Sequence, residues 1–263
     1  MTKGDLETLR RWFMGYLDRF RKENGELHPL LALKRSHSFR VAENARYIAT
    51  ALRLTEGERC LAEAAGLVHD VGRFTQFIRY GSFRDADTVD HGMEGRQVLE
   101  AGGIALFLNP GDCEDLFYAV EYHNRKQAEL PINFDEEKDR LLRLLRDADK
   151  IDIIEVVLRA VAADGFQDLP EMLPHIVLSR KVSPCVMKAA RETKSLAIGQ
   201  VVTLSDFLIL IVTWFSDLNY SPTRELAVKR DVLYRLRREL PNTKAVRNLF
   251  ADIDEAMNVQ GWV

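Results

Sequence analysis

Apolar residues return at intervals of three and four along almost the whole chain, and this spacing limits the folds open to it. Leu6, Leu9, Phe13, Tyr16, Leu17 and Phe20 make one such stripe, which predicts a first helix. A second is expected after Pro29, with Val41, Ala45 and Ile48 on the face of His37. Thr55-Glu56-Gly57-Glu58 reads as a capping box that opens a third. That helix carries Leu61, Ala65 and Val68 and ends at His69-Asp70, where Gly72 lets the chain turn away. Residues 73–90, rich in aromatic, Arg and Asp residues, read as a loop. A further helix runs from about Asp90 to Gly102-Gly103, and Pro110-Gly111 opens the next, with Leu116, Val120 and His123. Residues 125–134 read as a second loop, after which Asp135 begins a long helix.

The C-terminal part continues in the same pattern. Ser183-Pro184 suits an N-cap and first helical position. Thr203 or Ser205 caps an apolar helix, and Pro222 and Pro241 lie at later helix starts. The most apolar run, Phe207 to Phe215, is far too short to span a bilayer and reads as a buried core helix. No alternating strand pattern of useful length, internal repeat or low-complexity linker interrupts the series. The fold class expected is all-α, a single domain over residues 1–263, with a core of about 30–160 and a helical extension of about 165–263.

With 263 residues the chain can bury a sizeable core. A net charge of -3 gives no reason to expect a nucleic-acid partner, though a small phosphorylated substrate needs only local positive charge. Cys60, Cys113 and Cys185 are far apart, which points to reduced, packed thiols rather than a disulfide framework or structural zinc. The charged, amphipathic N-terminus is unlike a signal peptide, so a cytoplasmic protein with no membrane partner is expected.

Histidine and aspartate carry the chemistry. Adjacent His69 and Asp70 project about 100° apart on a helix and can both reach a metal beside its last turn. His37, His91 and His123 lie in similar settings, within or at the edges of helical patterns. Farther on, Arg146-Asp147-Ala148-Asp149-Lys150-Ile151-Asp152 places acids deep in a helical stretch, where burial is costly without a partner or a cation. Taken singly, each histidine could be structural, and His28 and His175 are read that way.

The ordered set resembles the HD-domain superfamily of metal-dependent phosphohydrolases: a His, an adjacent His-Asp, then a distant Asp, each on its own helix. The matching residues are His37, His69 with Asp70, and Asp149, and the resemblance covers roughly residues 30–160. His91 and His123 match the additional histidines of the subgroup with two metals. Periodicity does not choose between Asp149 and Asp147. The resemblance favours Asp149, through the segment Ala148-Asp149-Lys150-Ile151, and leaves Asp147 as a supporting partner.

The resemblance implies an HD-type helical bundle holding one or two divalent transition metals (Mn, Fe, Ni, Co or Zn, with Mg possible). His37, His69, Asp70 and Asp149 would hold one. Asp70 would bridge to a second, held with His91 and His123. Paired metals about 3.5–4 Å apart can polarise a phosphoryl oxygen and activate a water. His69 and Asp70 are thus the catalytic candidates, and Arg73, Lys150 and Arg40 the candidates for holding substrate phosphate. The expected activity is hydrolysis of a phosphomonoester or phosphodiester of a nucleotide or similar small molecule. A cyclic-dinucleotide phosphodiesterase of the HD-GYP type is disfavoured: Arg73 stands where that subgroup has Lys, His123-Asn124 where it has paired histidines, and its Gly-Tyr-Pro signature is absent. A di-iron HD-fold oxygenase would use a similar ligand set, and a non-catalytic sensor is the third class.

Overall fold

A computed structural model describes residues 1–125, 130 and 136–259. The chain divides into two compact units, Met1–Asp152 and Ile153–Val263. Among the described residues there is no β-strand beyond an isolated bridge between Val177 and Thr203.

The first unit holds α1 (Lys3–Asp18), α2 (Pro29–Ala51), α3 (Glu56–Val68), α4 (Val71–Tyr80), α5 (His91–Ala101), α6 (Pro110–Tyr122) and the first part of α7 (Glu136–Asp164). Two of these helices open on reciprocal capping boxes, Thr2 with Asp5 and Thr55 with Glu58, which satisfy backbone N–H groups at the helix start. The stripe of α1 is buried at Leu6, Leu9, Phe13, Tyr16 and Leu17. Its aromatic rings meet Phe74 of α4, with Phe13 at 6.3 Å and Tyr16 at 6.1 Å between ring centroids. Phe13 and Phe74 are fully buried, which stabilises the unit by roughly 1.5–3 kcal/mol each. Helices α2 and α3 touch backbone to backbone at Gly66, where a Cβ would lie 2.7 Å from Ala42 Cα.

Two expectations around the His-Asp pair change. Residues 73–90 are not all loop, because α4 runs on to Tyr80. Its buried positions Val71 and Phe74 follow helical spacing, while Arg79 and Tyr80 are exposed at its end and Arg73 is half-buried. The residue that stops α4 is Gly81, in the left-handed region at φ 66°. Gly72 does not turn the chain either. The break between α3 and α4 falls at Asp70, with φ -101° and ψ 17°. Gly72 lies inside α4 and permits close approach to α5: a Cβ there would sit 2.3 Å from the His91 carbonyl oxygen and 2.6 Å from Gly95 N.

The second unit contains the rest of α7 with α8 (Leu169–Met172), α9 (Pro184–Glu192), α10 (Leu204–Thr213), α11 (Ser221–Lys229), α12 (Val232–Glu239) and α13 (Lys244–Val259). Every residue of α10 is buried, and α9, α12 and α13 pack against it. Thr203 caps α10 through a capping box with Asp206. Ser183 stands at the N-cap position of α9 but makes no side-chain cap. Its N–H and hydroxyl both donate to Asp206, each at 2.7 Å, since a buried carboxylate is the stronger acceptor. Cys60 and Cys113 are buried and Cys185 is exposed, all three as free thiols. No helix among the described residues is long and apolar enough to cross a membrane.

Candidate metal centre

Helix ends position two of the candidate ligands. His69 is the C-cap of α3 and His123 the C-cap of α6. Each turns Nδ1 back onto its own helix, His69 to the Gly66 carbonyl and His123 to the Val120 carbonyl, both at 2.8 Å. A carbonyl only accepts, so both Nδ1 atoms carry the proton and both Nε2 atoms face away from their helices. The other two histidines lean on carboxylates. His37 Nδ1, on α2, lies 2.7 Å from Asp152 Oδ2, and His91 Nδ1, at the start of α5, lies 2.5 Å from Asp85 Oδ2.

With every Nδ1 engaged, the four Nε2 atoms converge in two pairs. His37 and His69 approach to 3.2 Å, and His91 and His123 to 3.1 Å. Asp70 lies between the pairs and shows one oxygen to each. Its Oδ2 is 3.6 Å from His37 Nε2 and 3.5 Å from His69 Nε2. Its Oδ1 is 3.6 Å from His91 Nε2 and 3.9 Å from His123 Nε2. Asp149 Oδ1 closes the first pair, 3.0 Å from His37 Nε2 and 3.6 Å from His69 Nε2, yet it is buried without a well-angled hydrogen bond. The tight groups of possible ligand atoms are His37–His69–Asp70, His69–His123–Asp149 and Asp70–His91–His123. Asp147 is buried but enters none of them.

Charge in the cluster is strongly perturbed. Burial alone would raise the Asp70 carboxyl, but Lys34, His69 and Arg73 outweigh it and hold it well below the usual carboxylate range. Asp149 is lowered in the same way, with burial outweighed by the facing His37 and His69. Burial disfavours charge on His69, but Asp70 and Asp149 overcome it and push the imidazole up to about 10. His123 goes the other way, down to about 3, through burial and the neighbouring His91 and His69. His91 is lowered by burial and by Arg73.

This donor set fits a divalent metal, and the fit is tested by His91 and His123. Both are buried, both are pushed toward neutrality, and both commit the Nδ1 proton elsewhere. Two nitrogen lone pairs then face each other at 3.1 Å, an arrangement that repels unless a cation sits between them. A fourth acidic group, Asp85–Asp90–His91, is different. Asn124 donates to Asp90 and Asp85, Arg125 pairs with Asp90 at 2.5 Å, and Arg73 pairs with Asp85 at 2.6 Å. Those carboxylates are already supplied with donors.

The basic candidates fare unequally. Arg40 spends its guanidinium on Asp152, with contacts of 2.7 and 2.9 Å, and so steadies the partner of His37. Arg73 lies 3.6 Å from Asp70 Oδ1, while its terminal nitrogen bonds Asp85, Gln76 and the Phe83 carbonyl. Lys150 follows Asp149 on α7 and is partly exposed. Lys34, which the sequence reading missed, donates to Asp70 Oδ2 at 2.7 Å. It lies one helical turn before His37, so i, i+3 spacing could have found it. Asp152, three residues beyond Asp149, was open to the same argument. Asp85 gave no periodic signal, because it sits in a short 3-10 turn, Asp85–Asp87. One further regularity was present: His37 to His69 and His91 to His123 are both separations of 32 residues. Most of the predicted loop at 125–134 lies outside the described residues.

A helical unit that gathers four histidine Nε2 atoms around a shared carboxylate is an all-α unit with the donors to hold a metal. Residues 35–154 match the family model for the HD domain. That stretch is similar to the HD-domain superfamily, a superfamily of metal-dependent hydrolases, and covers just under half of the chain. No curated protein and no solved structure matches it.

Proposed function

We propose that this chain is a binuclear metal-dependent phosphohydrolase acting on a nucleotide or a similar small phosphoester. The observation that carries the reading is the division of Asp70, one oxygen toward each histidine pair. His37, His69, Asp70 and Asp149 would hold one metal, and Asp70, His91 and His123 the other. Bound there, the metals supply Lewis acidity toward a phosphoryl oxygen and an acidified water.

The chain's own residues do the rest. Asp152 and Asp85 fix the imidazole planes and add electron density to His37 and His91. Asp70 stays ionised, as a bridging ligand must, because Lys34, His69 and Arg73 surround it. The Lys34 ammonium brings positive charge to the edge of the cluster, where it can hold a phosphoryl oxygen and offset charge that builds as the ester bond breaks. Fold alone does not choose the substrate.

The test is metal analysis of purified, reconstituted protein together with a screen of phosphomonoesters, nucleotides and cyclic nucleotides. The expected result is two metals per chain and cleavage of at least one phosphoester, lost in His69→Ala and Asp70→Ala. Less than one metal per chain with no cleavage would overturn the reading. Substrate-dependent oxygen uptake by an iron-loaded form, without ester cleavage, would establish the oxygenase alternative.

A further inference from the structure

All four histidines have a fixed Nδ1, but the anchors differ in kind. His69 and His123 lean on carbonyls of their own helices. The anchor of His37 is Asp152, whose side chain is 3% exposed, which belongs to the long helix α7 and which Arg40 grips twice. The anchor of His91 is Asp85, whose side chain is 32% exposed and which belongs to a three-residue 3-10 turn between α4 and α5. That turn is held by side-chain contacts rather than by a helix, chiefly from Gln76 and Arg73. Gln76, fully buried on α4, places Nε2 at 3.0 Å from Asp85 Oδ1, 2.7 Å from Thr88 Oγ1 and 3.0 Å from the Val89 carbonyl. Asp85 also divides its charge among Arg73, Asn124 and His91.

We propose that the Asp70–His91–His123 half is the weaker, exchangeable metal site, and that Asp85 is the positioning residue that sets its affinity. The inference rests on the two-metal reading above. Two physical differences carry it. Asp149 Oδ1 sits closest to the first half, 3.0 Å from His37 Nε2 and 3.6 Å from His69 Nε2, so that half adds a second nearby carboxylate to Asp70 and attracts a divalent cation more strongly. Releasing His37 requires a break in packed α7, whereas releasing His91 requires only that a short, half-exposed turn open, and such segments open locally at low cost. A carboxylate behind a ligating histidine is worth about 10–100-fold in metal affinity. The segment around residues 84–90 therefore controls whether the second site is filled.

The experiment titrates Mn2+ into the metal-free full chain by calorimetry and counts bound metal, for the wild type, Asp85→Asn, Asp85→Glu, Asp152→Asn and the control Asp87→Asn. Asp87 shares the turn but pairs with Arg84. The wild type is expected to bind two ions with affinities at least about 10-fold apart. Asp85→Asn should weaken only the weaker step, by about 10–100-fold, and Asp85→Glu should weaken it less, since it keeps the charge. Asp152→Asn should weaken the tighter step, and Asp87→Asn neither. Thermal melts of the metal-free variants control for folding. The proposal is overturned if Asp85→Asn and Asp85→Glu change neither step, or weaken both equally, while the wild type binds two ions. A wild type that binds one ion or none would instead remove the two-metal reading itself.

Discussion

Replacing Gly72 with Ala separates two opposed effects. Gly72 lies inside α4 with ordinary helical geometry, so helix propensity alone favours Ala by about 1 kcal/mol. The added methyl would meet the His91 carbonyl oxygen at 2.3 Å and Gly95 N at 2.6 Å. Ordinary contact begins near 3.4 Å, so α4 and α5 must part by about 1.1 Å, the difference 3.4 − 2.3. Overpacking of this sort costs about 1–3 kcal/mol, and here the obstructing atoms are backbone, which cannot rotate away. Taking the upper end and subtracting the propensity gain leaves a net loss of about 2 kcal/mol. At about 2–4 °C per kcal/mol this lowers the melting temperature by roughly 4–8 °C. The displaced atom belongs to His91, so Mn2+ binding at the second half should weaken as well. Gly81→Ala provides the contrast. Its φ of 66° makes Ala strained, but no atom lies within 4 Å of the new Cβ, so stability should fall while metal binding is kept. The assays are thermal melts followed by circular dichroism and calorimetric Mn2+ titration. A Gly72→Ala variant that melts at or above the wild type would refute the close-approach argument, since propensity alone would then decide.

Three further outcomes are expected. Asp206→Ala should destabilise the second unit by about 2–4 kcal/mol, because the buried carboxylate accepts from Ser183 N, Ser183 Oγ and Thr203 N, and their loss leaves donors unmatched; urea unfolding checks this, and a loss under about 0.5 kcal/mol, the scatter of ordinary surface changes, would contradict it. Tyr16 is buried and donates to the Val71 carbonyl at 2.9 Å, and burial raises its phenol above the ordinary value of 10.0. The folded state then keeps a proton that the unfolded state loses, so this stabilisation is complete below pH 10 and declines as pH rises above it; Tyr16→Phe should flatten the alkaline limb of a stability-against-pH curve, and an unchanged limb would count against the assignment. Lys34→Met should lower kcat/KM for the phosphoester by about 10–100-fold, in line with loss of one charged transition-state contact of about 1.4–2.7 kcal/mol, with two metals still bound; steady-state kinetics with metal analysis decides it, and unchanged kinetics would remove Lys34 from the site.

The sequence by itself determined most of the helices and singled out the candidate ligands. Periodicity and capping residues are local, so α1, α2, α3 and the apolar α10 were legible from Leu6–Leu17, Pro29, Thr55 and Thr203. Four histidines and the Asp70 neighbour could be read because their order alone carries the resemblance. Local composition misled where packing overrides it: α4 looked like a loop because of its aromatic and Arg residues, and Gly72 looked like a turn although its small size serves a helix crossing. Only the tertiary structure decided which groups stand behind the ligands. Asp152 reaches His37 across 115 residues of chain, and Asp85 reaches His91 from a turn with no repeating pattern. Hydrogen bonds of this kind depend on where helices cross, and neither residue type nor spacing encodes that. The same holds for Asp149 over Asp147, two residues apart on one helix: the orientation of α7 turns Asp149 toward His37 and His69, and no stripe in the sequence distinguishes them.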